Sequence, residues 1–310
     1  MEYYFERYAD LELQRRMVGD RPRTNAFHRA IHEVVRPGDA VLDVGTGTGI
    51  LSLFAAQAGA ERVYAVDQSP VIRTARQVFA RHPEYRIEAL EGPAASTRPP
   101  RPVQVLISEW LGNLAFVEGM LDAVLAARDH SLSAGGQMVP SEVEVWVAPL
   151  DDVILYHQWG PGFWRDRVHG LDLSALEAME LEQARAVQCR IESAALVAPG
   201  VRIAHLDLLE AHPGDWWQSG ESELHIRRDG VLSGFVGWFR ARLSPNVWLE
   251  TGPGEPDTHW AQTYVTFPPR TVKQGEVLKL RHALEPDPDE RRYLRLVLEL
   301  GGERLSYRVE

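Results

Sequence analysis

The sequence predicts an α/β protein in two parts: a parallel sheet with crossover helices over residues 1–140, then a β-rich domain over 141–310. Three observations carry this. Strand and helix signals alternate between residues 40 and 140, the pattern of βαβ units. A glycine-rich turn joins the first strand to the helix behind it. Beyond Pro140 the apolar period changes to two, with Val143, Val145 and Val147 separated by Glu144 and Trp146, as in an antiparallel sheet buried on one face.

The elements are taken in chain order. Glu2–Asp20 is amphipathic and aromatic and reads as a helix packed over another element. Strands are expected at Ala40–Val44, Val63–Asp67, Arg86–Leu90 and Val103–Ser108. Helices are expected at Ile50–Ala58, Val71–Arg81 and Glu118–Arg128, the last opened by Glu118. Gly92–Pro102, rich in Pro and Ala, reads as a loop. In the second part Gly234–Leu243 and Tyr293–Leu300 are strand-like, and Arg228-Asp229-Gly230 and Pro253-Gly254 mark turns. One helical island, about Leu173–Arg190, interrupts this texture.

Composition narrows the function. The chain has 310 residues, 45% hydrophobic and 25% charged, which is ordinary for a globular protein. A net charge of −11 argues against a nucleic-acid-coating surface and leans toward cationic partners. The single cysteine, Cys189, excludes an internal disulfide, and no His/Cys run has zinc spacing, so no metal is expected. The acid-bearing start Met1–Arg7 lacks a signal-peptide core, and no apolar run approaches the roughly 20 residues of a membrane span. The expectation is a soluble, cytoplasmic protein without a membrane partner.

The string Val41-Leu42-Asp43-Val44-Gly45-Thr46-Gly47-Thr48-Gly49-Ile50-Leu51 runs from a buried strand through glycines into a helix. Glycines allow a tight turn and close approach of a ligand, and the helix start offers free N–H groups. The spacing is G-x-G-x-G, not the G-x-G-x-x-G of dinucleotide sites, with Ile50 in the place of the third dinucleotide glycine. It resembles that of S-adenosylmethionine-dependent methyltransferases of the Rossmann-like class. Asp67, at the tip of the second strand and near the offset of about 20 residues, is placed to accept ribose hydroxyls. The cofactor candidates here are Asp43, Gly45, Thr46, Gly47, Gly49, Ile50, Leu51, Asp67 and Gln68. A plain strand–helix connector and a nicotinamide cofactor are the competing readings.

Two acids share the loop after the fourth strand: Glu109 in Ser108-Glu109-Trp110, and Glu118. Carboxylates set close together repel unless a cation lies between them. The plainer alternative makes Glu118 a helix cap and Glu109 a solvated loop acid. Here the sequence resembles the protein arginine methyltransferases. Ser108-Glu109-Trp110 with Glu118-Gly119-Met120-Leu121-Asp122 matches that family's double-glutamate loop. Tyr4-Phe5-x-x-Tyr8 matches its cofactor-covering helix, and Met17-x-x-Asp20-x-x-Arg23-Thr24 matches the segment immediately after that helix. Thr258-His259-Trp260 matches a short motif in the family's barrel.

The resemblance implies a Rossmann-like methyltransferase domain, a β-barrel domain and a homodimer formed through a helical arm, assigned near residues 171–190; an ordinary barrel-capping helix is the alternative for that island. It implies methyl transfer from S-adenosylmethionine to an arginine guanidino nitrogen, leaving S-adenosylhomocysteine. The acceptor would be an arginine-containing protein or peptide, or free arginine or a small guanidine; a non-catalytic scaffold is the remaining alternative. Glu109 and Glu118 would grip the guanidinium, and His259 paired with Asp20 would relay a proton or lock the cofactor lid. Tyr8, Gln14, Met17 and Arg23 would contact the cofactor, Arg23 through its carboxylate. Met17 and Met120 flank the acceptor as in members that make asymmetric dimethylarginine. Trp260 reads as packing. Departures from the family pattern are Gln14 for a histidine, Asn113 for a tyrosine of the double-glutamate loop, and Ala95 for an adenine-contacting glutamate.

Overall fold

The computed structural model describes residues 10–182 and 186–310. The expected helix Glu2–Asp20 lies partly outside this range. Its described portion is α1 (Leu11–Gly19), and a helix that the sequence pattern does not separate, α2 (Arg21–Val34), comes directly after it. Asp20 makes the break. Its N–H closes α1 on the Arg16 and Met17 carbonyls, and its side chain accepts from the Arg23 N–H to cap α2, with Pro22 in the first turn.

A five-stranded parallel sheet forms the first part, in the order β3-β2-β1-β4-β5. Its strands are β1 (Ala40–Val44), β2 (Arg62–Asp67), β3 (Ile87–Glu91), β4 (Val103–Ile107) and β5 (Leu132–Val139). Helices α3 (Ile50–Gln57), α4 (Ile72–Phe79) and α5 (Leu121–Ser131) connect them. Every residue of β1 is buried, as a central parallel strand flanked by helices requires. Strand order reverses beside β1, where β2 lies on one side and β4 on the other. Residues just beyond these strand ends therefore share one crevice.

The antiparallel part begins at β6 (Glu142–Leu150). One sheet is ordered β7-β12-β10-β6-β8, with β11 paired to β10; the other is β15-β14-β13-β9. Their strands are β7 (Val187–Cys189), β8 (Val201–Asp207), β9 (Ser219–His225), β10 (Gly230–Ser244), β11 (Val247–Glu250), β12 (Gln262–Val272), β13 (Val277–Pro286), β14 (Leu294–Leu300) and β15 (Glu303–Val309). Phe235, Phe267 and Tyr307 fill the core, and the buried Tyr307 hydroxyl donates to the Thr266 carbonyl. The two parts are tied together. Glu33 of α2 accepts from Ser244 and Asn246, and the buried Arg128 of α5 donates to the Leu208 carbonyl at 2.7 Å.

The helical island differs from expectation. Helices occupy Val153–Trp159 (α6) and Ala175–Glu182 (α7), with a 3-10 turn at Pro161–Arg165 between them. Residues 187–189, expected to be helical, instead form β7, because Val187 and Cys189 register against Tyr264 and Gln262 of β12. Glu177 of α7 holds the island together by accepting from Tyr156 and Arg165.

Candidate active site

Val44 of β1 leads into the turn, whose Gly45 and Thr46 N–H groups both donate to the Val66 carbonyl of β2. Gly45, Gly47 and Gly49 all have positive φ (73°, 57° and 91°). They serve different neighbours. A Cβ on Gly45 would lie 3.2 Å from the Met120 methyl, and one on Gly47 would lie 3.0 Å from the Gln14 amide oxygen. These two glycines keep a narrow cleft open. A Cβ on Gly49 would lie 2.3 Å from the Phe79 ring, so this glycine lets α3 pack on α4 and does not line the cleft.

Asp43, expected to bind cofactor, does not line the cleft either. It is fully buried beneath the turn, accepting from Thr46 at 2.7 Å and Ser52 at 2.6 Å. Burial pushes its carboxyl up to about 6, while the Ser52 and Thr46 hydrogen bonds pull the other way. Its place near the end of an all-buried strand turns it inward to stiffen the loop. Asp67 is the acid that reaches the cleft. One oxygen accepts from the Gly47 N–H at 3.0 Å, the other from the Ser69 N–H and hydroxyl. A carboxylate has about four acceptor positions, so capacity remains for a bound hydroxyl.

Gln14, Met17 and Val18 of α1 cover the cleft, and Arg23 enters it from α2. Arg23 and Glu109 form a buried ion pair, 7% and 8% exposed, in which Nε (3.0 Å) and Nη2 (2.5 Å) both reach Oε2. Glu109 Oε1 accepts from the Leu111 N–H at 3.0 Å. Glu118 is placed differently from expectation. It does not open α5, whose first residue is Leu121, and does not line the cleft. It sits in the loop at φ 90°, and its N–H donates at 2.7 Å to the Arg292 carbonyl of the β13–β14 connection. Leu114 and Ala115 on the same loop also have positive φ. Asn113 donates to the Glu310 carbonyl at 2.8 Å.

His259 meets Asp20 as expected. Its Nδ1 and backbone N–H both reach Asp20 Oδ2, at 2.7 and 2.8 Å. Burial raises the Asp20 carboxyl, but the His259 and Arg23 hydrogen bonds outweigh it and the net direction is down. Neither partner lines the cleft. Trp260, expected only to pack, also donates from its indole Nε1 to the Leu111 carbonyl at 2.6 Å.

Comparison with known proteins decides the family. The profile of the arginine methyltransferase oligomerization subdomain matches residues 142–303, and that of the ribosomal protein L11 methyltransferase (PrmA) matches residues 18–87. Protein arginine N-methyltransferase 6 of Xenopus tropicalis is 33% identical over 96% of this chain and 92% of its own length. The chain belongs to the protein arginine methyltransferase family. Histone-arginine methyltransferase CARMER of Drosophila erecta is 34% identical over 98% of this chain and 59% of its own. Among solved structures, the Trypanosoma brucei PRMT1 enzyme–prozyme heterotetrameric complex with AdoHcy superimposes with a TM-score of 0.89 at 27% identity, covering 98% of this chain and 99% of that one. Protein arginine methyltransferase 10 of Arabidopsis thaliana gives 0.85 at 26% identity, covering 99% and 100%.

For this arginine methyltransferase family member, the cleft gathers ten of the expected cofactor residues: Gln14, Met17, Arg23, Gly45, Thr46, Gly47, Ile50, Leu51, Asp67 and Gln68. Asp43 and Gly49 lie behind it, and Tyr8 falls outside the described residues. Val18, Thr48, Val66, Ser69, Gly92 and Ala94 line the cleft without having been expected, and Gly92 and Ala94, not Ala95, represent the loop after β3. Ser69, two residues beyond Asp67, carries a signal that was legible: a hydroxyl there turns back on the acid. Among the described residues no His/Cys/Asp/Glu cluster is placed to hold a metal ion. None of the described helices is long and apolar enough to cross a membrane.

Proposed function

We propose that the protein moves a methyl group from S-adenosylmethionine to a guanidino nitrogen of arginine in a protein or peptide. One observation carries this: Glu109, which already holds an arginine guanidinium in Arg23, lines the same cleft as the glycine turn and Asp67. The residues present fit the cofactor. Gly45 and Gly47 leave open the space their side chains would fill, Asp67 suits a ribose, and Arg23 suits a carboxylate. When bound, the cofactor supplies an electrophilic methyl on a sulfonium.

The chain's residues do the rest. An arginine acceptor keeps its proton at physiological pH, with charge spread over three nitrogens. Glu109 accepts from its N–H groups in the cleft, and Glu118, which the loop holds outside it, is required to turn in beside Glu109; together they draw charge toward the nitrogens they hold and leave the third richer in electrons. The lid from α1 and Arg23 excludes water, so positioning and electrostatics in a closed site supply much of the rate. Because His259 and Asp20 stand outside the cleft, we read their pair as the lock that joins the α1–α2 corner to the second part. We further propose the domain division at residues 140/141, closure of the two antiparallel sheets into a barrel, a cytoplasmic location, and a homodimer formed through the 153–182 island. Exposed Ile154, Trp159, Phe163, Leu171 and Met179 on that island support the dimer.

The test is incubation with labelled S-adenosylmethionine and either arginine-rich peptides or free arginine. Label in the peptides is expected. If neither acceptor is labelled under conditions where the cofactor binds, the assignment fails.

A further inference from the structure

The contacts around Glu109 close into a ring. Arg23 holds Glu109 Oε2. The Arg23 N–H donates to Asp20 Oδ1 at 3.1 Å, and His259 holds Asp20 Oδ2 through its N–H and Nδ1. Trp260 is joined to His259 by a peptide bond and donates to the Leu111 carbonyl at 2.6 Å. The Leu111 N–H returns to Glu109 Oε1 at 3.0 Å. Each carboxylate oxygen is therefore held by a separate arm, and both arms are fastened at residues 259 and 260, just before β12. The Trp260 indole is buried, its ring edge against Phe239 at 5.1 Å, so little water competes for its N–H.

We propose that Trp260 is a positioning residue for methyl transfer: its indole N–H fixes the Leu111–Gly112 peptide and, through the Leu111 Cα, the preceding Trp110–Leu111 peptide whose N–H sets the rotamer of Glu109. The inference rests on the assignment of Glu109 to the acceptor site. Glu109 must meet a planar fork with the right aim, and a displacement near 1 Å costs roughly 100-fold in rate. Removing the indole N–H leaves the Leu111–Gly112 peptide held only through the Gly112 N–H, which donates to the Ala115 carbonyl at 3.0 Å, and so loosens the Leu111 N–H against Glu109 while the Arg23 arm stays in place. The expected defect therefore lies in turnover and not in cofactor binding.

The full-length protein with 3-benzothienylalanine at position 260 tests this, since that side chain keeps the ring shape and lacks the N–H. Trp260→Phe is the second variant. Methylation of an arginine-rich peptide is followed at saturating cofactor, cofactor affinity is measured by calorimetry, and kcat is recorded against pH. The expected result is a kcat at least tenfold lower, with cofactor Kd within twofold and the acidic limb of the pH profile displaced. A kcat within twofold of wild type in the benzothienyl protein overturns the proposal. So does a fall in kcat matched by an equal loss of cofactor affinity, which would place Trp260 in the lid. A wild-type protein that labels no acceptor refutes the functional assignment itself, a result distinct from either variant outcome.

Discussion

At the scale of the residue, neighbouring acids have divergent tasks. Asp43 stands one residue before the end of β1 and Asp67 ends the neighbouring parallel β2, yet one is buried under the turn and the other faces the cleft. Asp67→Asn should weaken cofactor binding about tenfold, some 1.4 kcal/mol, as read by calorimetry. Glu109→Gln should lower kcat at least 100-fold and leave cofactor Kd within threefold, because the amide still receives Arg23 but no longer carries the charge that draws on the acceptor. The Asp43 carboxyl is raised toward 6 by burial, so the folded state binds more protons than the unfolded one between about pH 4 and 6. Its contribution to stability is full below pH 4 and is lost as pH rises through 6. Asp20 works in the opposite sense: its depressed carboxyl stabilises above about pH 4 and loses this as pH falls. Denaturant midpoints measured from pH 4 to 7 should show a decline that Asp43→Asn flattens.

At the scale of the element, strands β1 and β4 were legible because short apolar runs bounded by turn residues have few other readings. The second helix at Arg21–Val34 was hidden in a polar sequence whose burial comes from contact with α3, β10 and β11, although Asp20 and Pro22 marked its start. The acid loop was legible as a motif but not as geometry. Placement of Glu118 depends on the Arg292 carbonyl, far away in sequence, and no local pattern encodes that contact. The three glycines illustrate the same limit, since spacing alone assigned them one task. Gly47→Ala should reduce cofactor affinity by pressing on Gln14, with its effect on stability limited to the roughly 1–2 kcal/mol of a Cβ at φ 57°. Gly49→Ala should instead destabilise the fold by about 2–4 kcal/mol, through the φ of 91° and the Phe79 collision. Thermal melts and calorimetry on both variants separate the two.

At the scale of the whole molecule, the second part braces a cleft lined by the first, without the two sharing a sheet. α2 docks on β10 and β11, Arg128 reaches the Leu208 carbonyl, and the 258–260 segment touches both the α1–α2 corner and the acid loop. Two-part organisation was readable from the change in apolar period at residue 140; these cross-contacts were not, because they join side chains to distant carbonyls. The 153–182 island exposes Ile154 at 76% and Leu171 at 67%, apolar surface that the proposed dimer would cover. Ile154→Asp combined with Leu171→Asp should shift the protein from dimer to monomer in sedimentation velocity and leave its circular dichroism unchanged.

The backbone of Glu118 has a further consequence. A side-chain-bearing residue at φ 90° costs on the order of 1–3 kcal/mol, a penalty glycine would not incur. Glu118→Gly should therefore melt at a higher temperature than Glu118→Ala while sharing its lack of turnover. Among replacements for this carboxylate, selection for surviving heat alone would settle on glycine, at the cost of methyl transfer.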